Sequence, residues 1–515
     1  MFWLPVYKVF APKRLPLFIP LPLHIIPAVA DFTNPEFHCR LLSTLLPENV
    51  FFPGSGDYDT SIASYYSLQT RLSPACVVIP STAEDVSTAV KTLVGLPDAI
   101  FAVRGGGHSP NIGFADTEYG VTIDLSRLNH VSTNDDDTIA SVGPGARWTE
   151  VHRALDPLGL DVIGGKIGTV GVGGLITGGG VSNFSPMRGW ACDNVLNMQV
   201  VLASGEIVDV NDEGEYADLF VALKGGQNNF GIVTRFDLRP FRQGPYWGGL
   251  IFYPSSTEQA QMDAYAEFME RANHDPRAEV EQNFMYVSSD DGSGDPFCMN
   301  NMFYSEQVVN PSALRMFSDI QPQFNNTMRI SNSTDFTEEL GSNPFPHNRY
   351  LIQACTTFRF SPTILPQILK VWIGYRDEMQ NARIPNIMLA LTILDVPALL
   401  PTSHNSLGFP RGSQPDRELA LGLISIYWLN DEFSSMMERT TRTLLRDIDA
   451  VIAKNGLSYP YRYINYANAA YQDPLRGYGR KSLGHLVRMS NKYDPNRVFQ
   501  EKVPGGWKLP LDEFF

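Results

Sequence analysis

The 515-residue sequence has no apolar run of the ~18 residues that would suggest a membrane-spanning helix, so no membrane partner is expected. Cysteine is scarce. The five residues at 39, 76, 192, 298 and 355 form no Cys-x-x-Cys pair, no His-x-x-x-His occurs either, and no metal is expected. Positive charge is also short: 40 Lys and Arg stand against 55 Asp and Glu, a formal charge of -15, and there is no basic block. Such a chain is a poor polyanion binder, which argues against nucleic acid as a partner. Internal repeats and low-complexity tracts are absent. Charged residues make up only 18% against 43% hydrophobic, which excludes a disordered chain. The length allows about three or four domain-sized units, or fewer large ones.

What is present begins at the N-terminus. Lys8, Lys13 and Arg14 precede an apolar stretch that ends in Ala28-Val29-Ala30, the layout of a secretory signal over residues 1–30. Four prolines interrupt that stretch, and an irregular N-terminal arm is the alternative. A secreted chain permits disulfides. Cys39 and Cys76 flank one compact Gly/Pro/Tyr-rich stretch and are the expected pair, two buried thiols being the alternative. Closing that loop would stabilise by roughly 3–4 kcal/mol in the chain-entropy model. Asn325-Asn326-Thr327 and Asn332-Ser333-Thr334 are glycosylation sequons in polar surroundings. Asn183-Phe184-Ser185 also fits but sits among the core glycines, where it is expected to be inaccessible.

From Ala75 strand-like and helix-like segments alternate. Ala75–Ile79, Ile100–Val103 and Val121–Leu125 read as strands, and Ser81-x-x-Glu84 as a capping box before a helix. Thr149–Leu155 reads as a short helix, Asn197–Val210 as a hairpin, Tyr216–Leu223 as a helix face stopped by Gly225-Gly226, and Ile232–Leu238 as a closing strand. Between about Gly244 and Pro460 glycine thins out. Strand-like runs (Gly249–Tyr253, Phe284–Val287, Leu389–Leu394, Leu423–Leu429) alternate there with amphipathic segments (Gln259–Ala272, Ser435–Lys454), an α+β composition without a sharp motif.

Glycine is the informative residue: 18 of 42 fall between Arg104 and Gly189. Arg104-Gly105-Gly106-Gly107-His108-Ser109 leaves a strand, and consecutive glycines let successive N–H groups converge into an anion nest. A second block runs from Gly164 to Gly180, and only close approach of backbone to a ligand explains such density. It lacks a triphosphatase Gly-Lys-Ser/Thr end and is not a single Gly-x-Gly-x-x-Gly turn. Two such loops in one domain, followed by Lys224-Gly-Gly-Gln-Asn-Asn-Phe-Gly231-Ile-Val233, point to a dinucleotide cradle. His108, directly after three glycines, is expected to face the ligand with no side chain shielding it.

These loops, together with Trp190-Ala-Cys-Asp-Asn194-Val, Tyr463-Ile464-Asn465-Tyr466 and Lys492-Tyr-Asp-Pro495-x-x-Val-Phe499, resemble the FAD-linked oxidoreductases of the berberine-bridge-enzyme type in their fungal branch. The resemblance covers nearly all of the chain after Cys39. It implies an α+β fold: a two-part FAD-binding domain of the p-cresol-methylhydroxylase (vanillyl-alcohol-oxidase-like) type, plus an α+β substrate domain with an antiparallel sheet covered by helices. The implied boundaries are 31–241 for the FAD-binding domain (motif core 70–241), 242–460 for the substrate domain and 461–515 for a segment returning to the FAD domain. The implied cofactor is FAD, bonded covalently to His108. Arg104 to Ser109, Gly168, Thr169, Val170, Gly171, Val172 and Gly174 would hold it, with Gly178, Gly179, Asn194, Ile232, Val233 and Asn465 lining it. Relatives with a second attachment use a Cys in Cys-Pro-Thr-Val-Gly. This chain reads Ile167-Gly168-Thr169-Val170-Gly171, so His108 should be the sole link.

By the same resemblance, Tyr463-Ile464-Asn465-Tyr466 is a strand returning to the flavin. Tyr463 or Tyr466 would then be the base if positive charge lowers its phenol pKa, with Asn465 orienting flavin or substrate; an aromatic platform is the alternative. Val172 would keep a path for O₂ open. The implied activity is an oxidase acting on a small organic substrate in fungal secondary-metabolite biosynthesis, with O₂ as acceptor; the signal-like N-terminus makes secretion or the secretory pathway the expected location, and a monomer is expected. The alternatives are a cyclase or pericyclic catalyst on the same fold, a carbohydrate oxidase, and a non-enzymatic flavoprotein binder.

Overall fold

The computed structural model describes residues 33–342, 347–409 and 418–513; the signal-like segment at 1–30 lies outside the described residues. Among the described residues, three larger sheets organise the chain, beside a two-stranded pairing of Leu160–Asp161 with Phe241–Arg242. In the first, Val50–Phe51, Cys76–Val78, Val121–Asp124 and Phe101–Arg104 lie in that spatial order, and the last three are parallel. Helix Ala83–Gly95 packs on it through Val86, Ala89, Val90 and Leu93. Its N-cap is Thr82, whose hydroxyl accepts from the Asp85 N–H while the Asp85 carboxylate accepts from the Thr82 N–H. The capping box therefore sits one residue later than the Ser81/Glu84 pair, because Asp85 is the acid placed three residues beyond the cap.

The second sheet is antiparallel, in the order Val131–Thr133, Ala140–Val142, Ile232–Leu238, Val195–Val201, Ile207–Asn211. Cys39 and Cys76 form a disulfide that ties helix Pro35–Leu45 to the first sheet. From the other end of the chain, Val498, Phe499 and Val503 enter the core of that sheet.

The third sheet has nine antiparallel strands. Its central order is Tyr246–Pro254, Pro296–Tyr304, Ala278–Val287, Met388–Asp395, Leu419–Trp428, Tyr350–Arg359. Strands Pro296–Tyr304 and Tyr350–Arg359 and helix Ile364–Asn381 carry no signal singled out in the sequence. The sheet is buried on both sides, so its strands read as apolar runs rather than alternations. Along Leu419–Trp428 the alternate residues Ala420, Ile424, Ile426 and Trp428 pack toward helices Glu258–Phe268, Ile364–Asn381 and Ser434–Lys454. Leu419, Leu421 and Tyr427 belong to the core shared with the first half of the chain. One sheet face thus rests on helices and the other closes over the glycine loops. Among the described residues, no helix is long and apolar enough to cross a membrane.

Residues 463–466 are not a strand: they form a turn, closed by Tyr466 N–H donating to Tyr463 C=O at 2.9 Å. Their ring-rich alternation mimics a strand, but the backbone pairs locally. Asn325 and Asn332 are exposed, whereas Asn183 and Ser185 are buried.

Candidate functional site

A cavity of about 290 Å³ lies between the glycine loops and the third sheet. Gly105, Gly106, Gly107, His108 and Ser109 line one end. Among the described residues, the N–H groups of Gly105, Gly106 and Gly107 have no hydrogen-bond acceptor. The two glycine loops touch: a Cβ on Gly106 would stand 2.5 Å from the Gly171 backbone, so both positions need glycine for that approach. A Cβ on Gly174 would meet nothing within 4 Å and would project into open space. Buried Asn228 Oδ1, on the same cavity, has no partner among the described residues. Unpaired donors, an orphaned acceptor and room beside Gly174 fit a polyanionic dinucleotide.

His108 is shielded after all. Its ring stacks on Tyr66 at 3.9 Å, and His347 meets the edge of Tyr66 at 4.9 Å. The sequence did not announce this because Tyr66 lies far from the loop in the chain. His108 Nε2 is 3.3 Å from Thr169 Oγ1. Burial, then the charge of Arg147 and His347, pulls the imidazole down to about 3. The ring is neutral at physiological pH and its nitrogen lone pair is available. Arg147 in turn holds Thr169 by donating to its carbonyl.

The other expected cofactor residues divide. Val170, Gly171 and Gly174 line the cavity, and Asn465 does so from the opposite side. Arg104 does not: its guanidinium is buried, 3.2 Å from Asp124 and bonded to the Ser61 carbonyl at 2.6 Å, anchoring the strand from which the loop departs. Val172, the first residue of helix Val172–Thr177, is fully buried in the core and is not among the residues that line the cavity. Ile232 and Val233 are also core residues and do not line the cavity. Asn194 donates to the carbonyls of Arg188 and Trp190, both at 2.9 Å, and so fixes a turn. Gly168 packs on Thr149. Gly178 lies where a Cβ would strike Asn465, and Gly179 lies against Trp190 and Leu407.

Tyr463 and Tyr466 both line the cavity, their rings edge to face at 4.7 Å. The Tyr463 hydroxyl accepts from Gly180 N–H at 3.1 Å and from Asn465 Nδ2 at 3.0 Å. Asn465 also donates to Leu175 C=O and accepts from Gln227. The expectation of a phenol lowered by positive charge is overturned. Burial pushes both phenols up, and for Tyr466 the negative charge of Glu281 adds to it.

Sequence reading missed the sheet wall. Glu281, Asn283, Thr392, Ser425 and Tyr427 project from it into the cavity. Lys166, inside the second glycine block, reaches across to donate to Glu281 Oε1 at 2.9 Å and to Glu279. Two glutamates two apart on a strand, with Val280 between, could have been read as one strand face, but a charged face normally signals solvent.

A profile described as "FAD binding domain" matches residues 74–211. The chain is 34% identical over 486 residues to the "FAD-dependent monooxygenase sdcF" of Emericella nidulans, covering 93% of this chain and 99% of that one. It is 32% identical to the "Bifunctional solanapyrone synthase" of Alternaria solani, covering 92% of this chain and 88% of that one. A solved glucooligosaccharide oxidase of Acremonium strictum, described with a 6-S-cysteinyl, 8α-N1-histidyl FAD, superposes with a TM-score of 0.71 at 19% identity. The match covers 92% of this chain and 98% of that one.

Proposed function

Since this chain belongs to the FAD-linked oxidoreductases of the berberine-bridge-enzyme type, we propose that it is an FAD-dependent oxidase. In this reading it acts on a small organic molecule of fungal secondary metabolism, with O₂ as final acceptor and FAD bonded to His108 alone. When bound, FAD supplies the two-electron acceptor, and the protein supplies binding, orientation and electrostatics. The N–H groups of Gly105 to Gly107 would receive the pyrophosphate. His108 holds a neutral nitrogen toward the cavity, aligned by Tyr66 and Thr169, as attachment through the 8α-methyl carbon requires. Ile167 cannot form a thioether. Asn465 and Tyr463, braced against Leu175 and Gly180, would fix the opposite edge of the site.

The observation that carries this reading is the neutral His108 at the end of an acceptor-free glycine nest. Protein made with ample FAD should be yellow, and the colour should stay with the polypeptide after acid precipitation. His108→Ala should release all of it on denaturation. A flavin-modified peptide lacking His108, or none at all, rejects the covalent assignment.

The names of two relatives, a monooxygenase and a synthase, define the competing outcomes. A product heavier by one oxygen atom would favour monooxygenation. Turnover without O₂ consumption would favour a synthase-type cyclisation.

A further inference from the structure

Three ionisable groups meet at the sheet wall: Lys166 from the second glycine block, and Glu279 and Glu281 from strand Ala278–Val287. Lys166 is bonded to both Glu279 and Glu281, and the side chains of Lys166 and Glu279 are 6% and 3% exposed. Glu281 is the carboxylate that reaches the cavity, and Lys166 lines it too. Asn301 Nδ2 donates to Glu281 Oε2 at 3.3 Å. The second oxygen of Glu279 is buried and has no partner among the described residues. Stability does not account for such a cluster. Desolvating buried charges offsets their attraction, and apolar residues of similar volume usually serve as well or better.

We propose, building on the oxidase reading above, that Glu281 is the proton acceptor for a substrate bearing an O–H group, with Lys166 and Glu279 holding it in register. The substrate O–H bond breaks, its electron pair stays on the substrate oxygen, and a new O–H bond forms on Glu281. Lys166 puts a positive charge beside the oxygen that becomes electron-rich, an advantage an amine substrate would not gain. Burial, reinforced by Glu281, raises Glu279 to about 8 despite Lys166. Near neutral pH the resident proton of the cluster therefore sits on Glu279, whose second oxygen is unpartnered among the described residues, and Glu281 is the carboxylate open to the cavity. The other charged or titratable groups facing the cluster are Asp395, which acts on Glu279, and Tyr466, which faces Glu281. Tyr466, held protonated, is left as a hydrogen-bond donor or ring platform.

Two measurements on the flavin-loaded protein test this. The first is unfolding free energy against pH. From the ordinary glutamate value of 4.5 up to about 8 the native state holds a proton that the unfolded chain has lost, so stability falls as pH rises through that window. Glu279→Gln, which keeps the volume, should remove that fall. Identical slopes in the two proteins overturn the cluster's proton. The second uses 4-nitrophenol as an O–H-bearing probe. In wild type and in Tyr466→Phe the carboxylate of Glu281 should accept the probe's O–H and hold it neutral, so the bound probe's pKa should lie about one unit above that in Glu281→Gln. Equal ionisation in wild type and Glu281→Gln overturns the acceptor role. Flavin content, read after unfolding, reports separately on the oxidase reading.

Discussion

The two walls of the cavity are built by opposite means. The glycine wall acts through backbone: Gly105 to Gly107 offer N–H groups, and Gly106 and Gly171 let two loops touch. The sheet wall acts through side chains, and its polar residues project from every second position of paired strands: Glu281 and Asn283 on one, Ser425 and Tyr427 on another. The first wall tolerates no added atom at its contact points. The second is sensitive to which charge stands where.

The sharpest test of that contrast is Lys166→Met. It deletes the one cation shared by two glutamates and leaves their charge uncompensated, which typically costs about 3–5 kcal/mol. Chemical denaturation should report a loss of that size at pH 8.5. At pH 5.5, where both carboxyls can take up protons, the loss should be smaller. An unchanged stability at both pH values would mean the sheet wall does not depend on this charge.

The glycine wall should respond to a single methyl group, and differently at two positions. Gly106→Ala forces a Cβ onto the Gly171 backbone and should destabilise by about 1–3 kcal/mol, the range for overpacking. Gly174→Ala enters open space, so the unfolding midpoint of flavin-free protein should stay put while FAD uptake falls. If both variants lose stability equally, the distinction between contact glycine and cradle glycine is wrong.

The smallest effect concerns Val172. Its side chain faces the core, so Val172→Leu should cost at most about 1–3 kcal/mol as an overpacked substitution. Reoxidation of the flavin by O₂, followed by stopped flow, should be unchanged. A slowed reoxidation with normal stability would restore Val172 to the oxygen path.

Much of the first wall was legible because its chemistry is local. A nest needs adjacent glycines, and a strand-ending Arg-Gly-Gly-Gly-His-Ser places His108 at its rim whatever the rest of the chain does. The Cys39–Cys76 pair and the strands Cys76–Val78, Phe101–Arg104, Val121–Asp124, Val195–Val201, Ile207–Asn211 and Ile232–Leu238 were legible for the same reason, each being written in a short stretch, whereas Val131–Thr133 and Ala140–Val142 were not singled out. The nine-stranded sheet was only partly legible: with both faces buried, a strand such as Leu419–Trp428 shows no polar alternation to mark the side that meets a ligand.

By itself, then, the sequence determined the glycine loops of an FAD-binding domain and set His108 and Ile167 within them. Backbone constraints leave their mark residue by residue. Tertiary structure decided that Val172 is buried in the core, that Tyr66 covers His108, and that both tyrosine phenols are raised rather than lowered. It also brought Lys166 to carboxylates more than a hundred residues along the chain. Neighbours supplied by strand pairing and domain packing at that separation leave no local pattern, and burial then sets the charge each of these groups can carry.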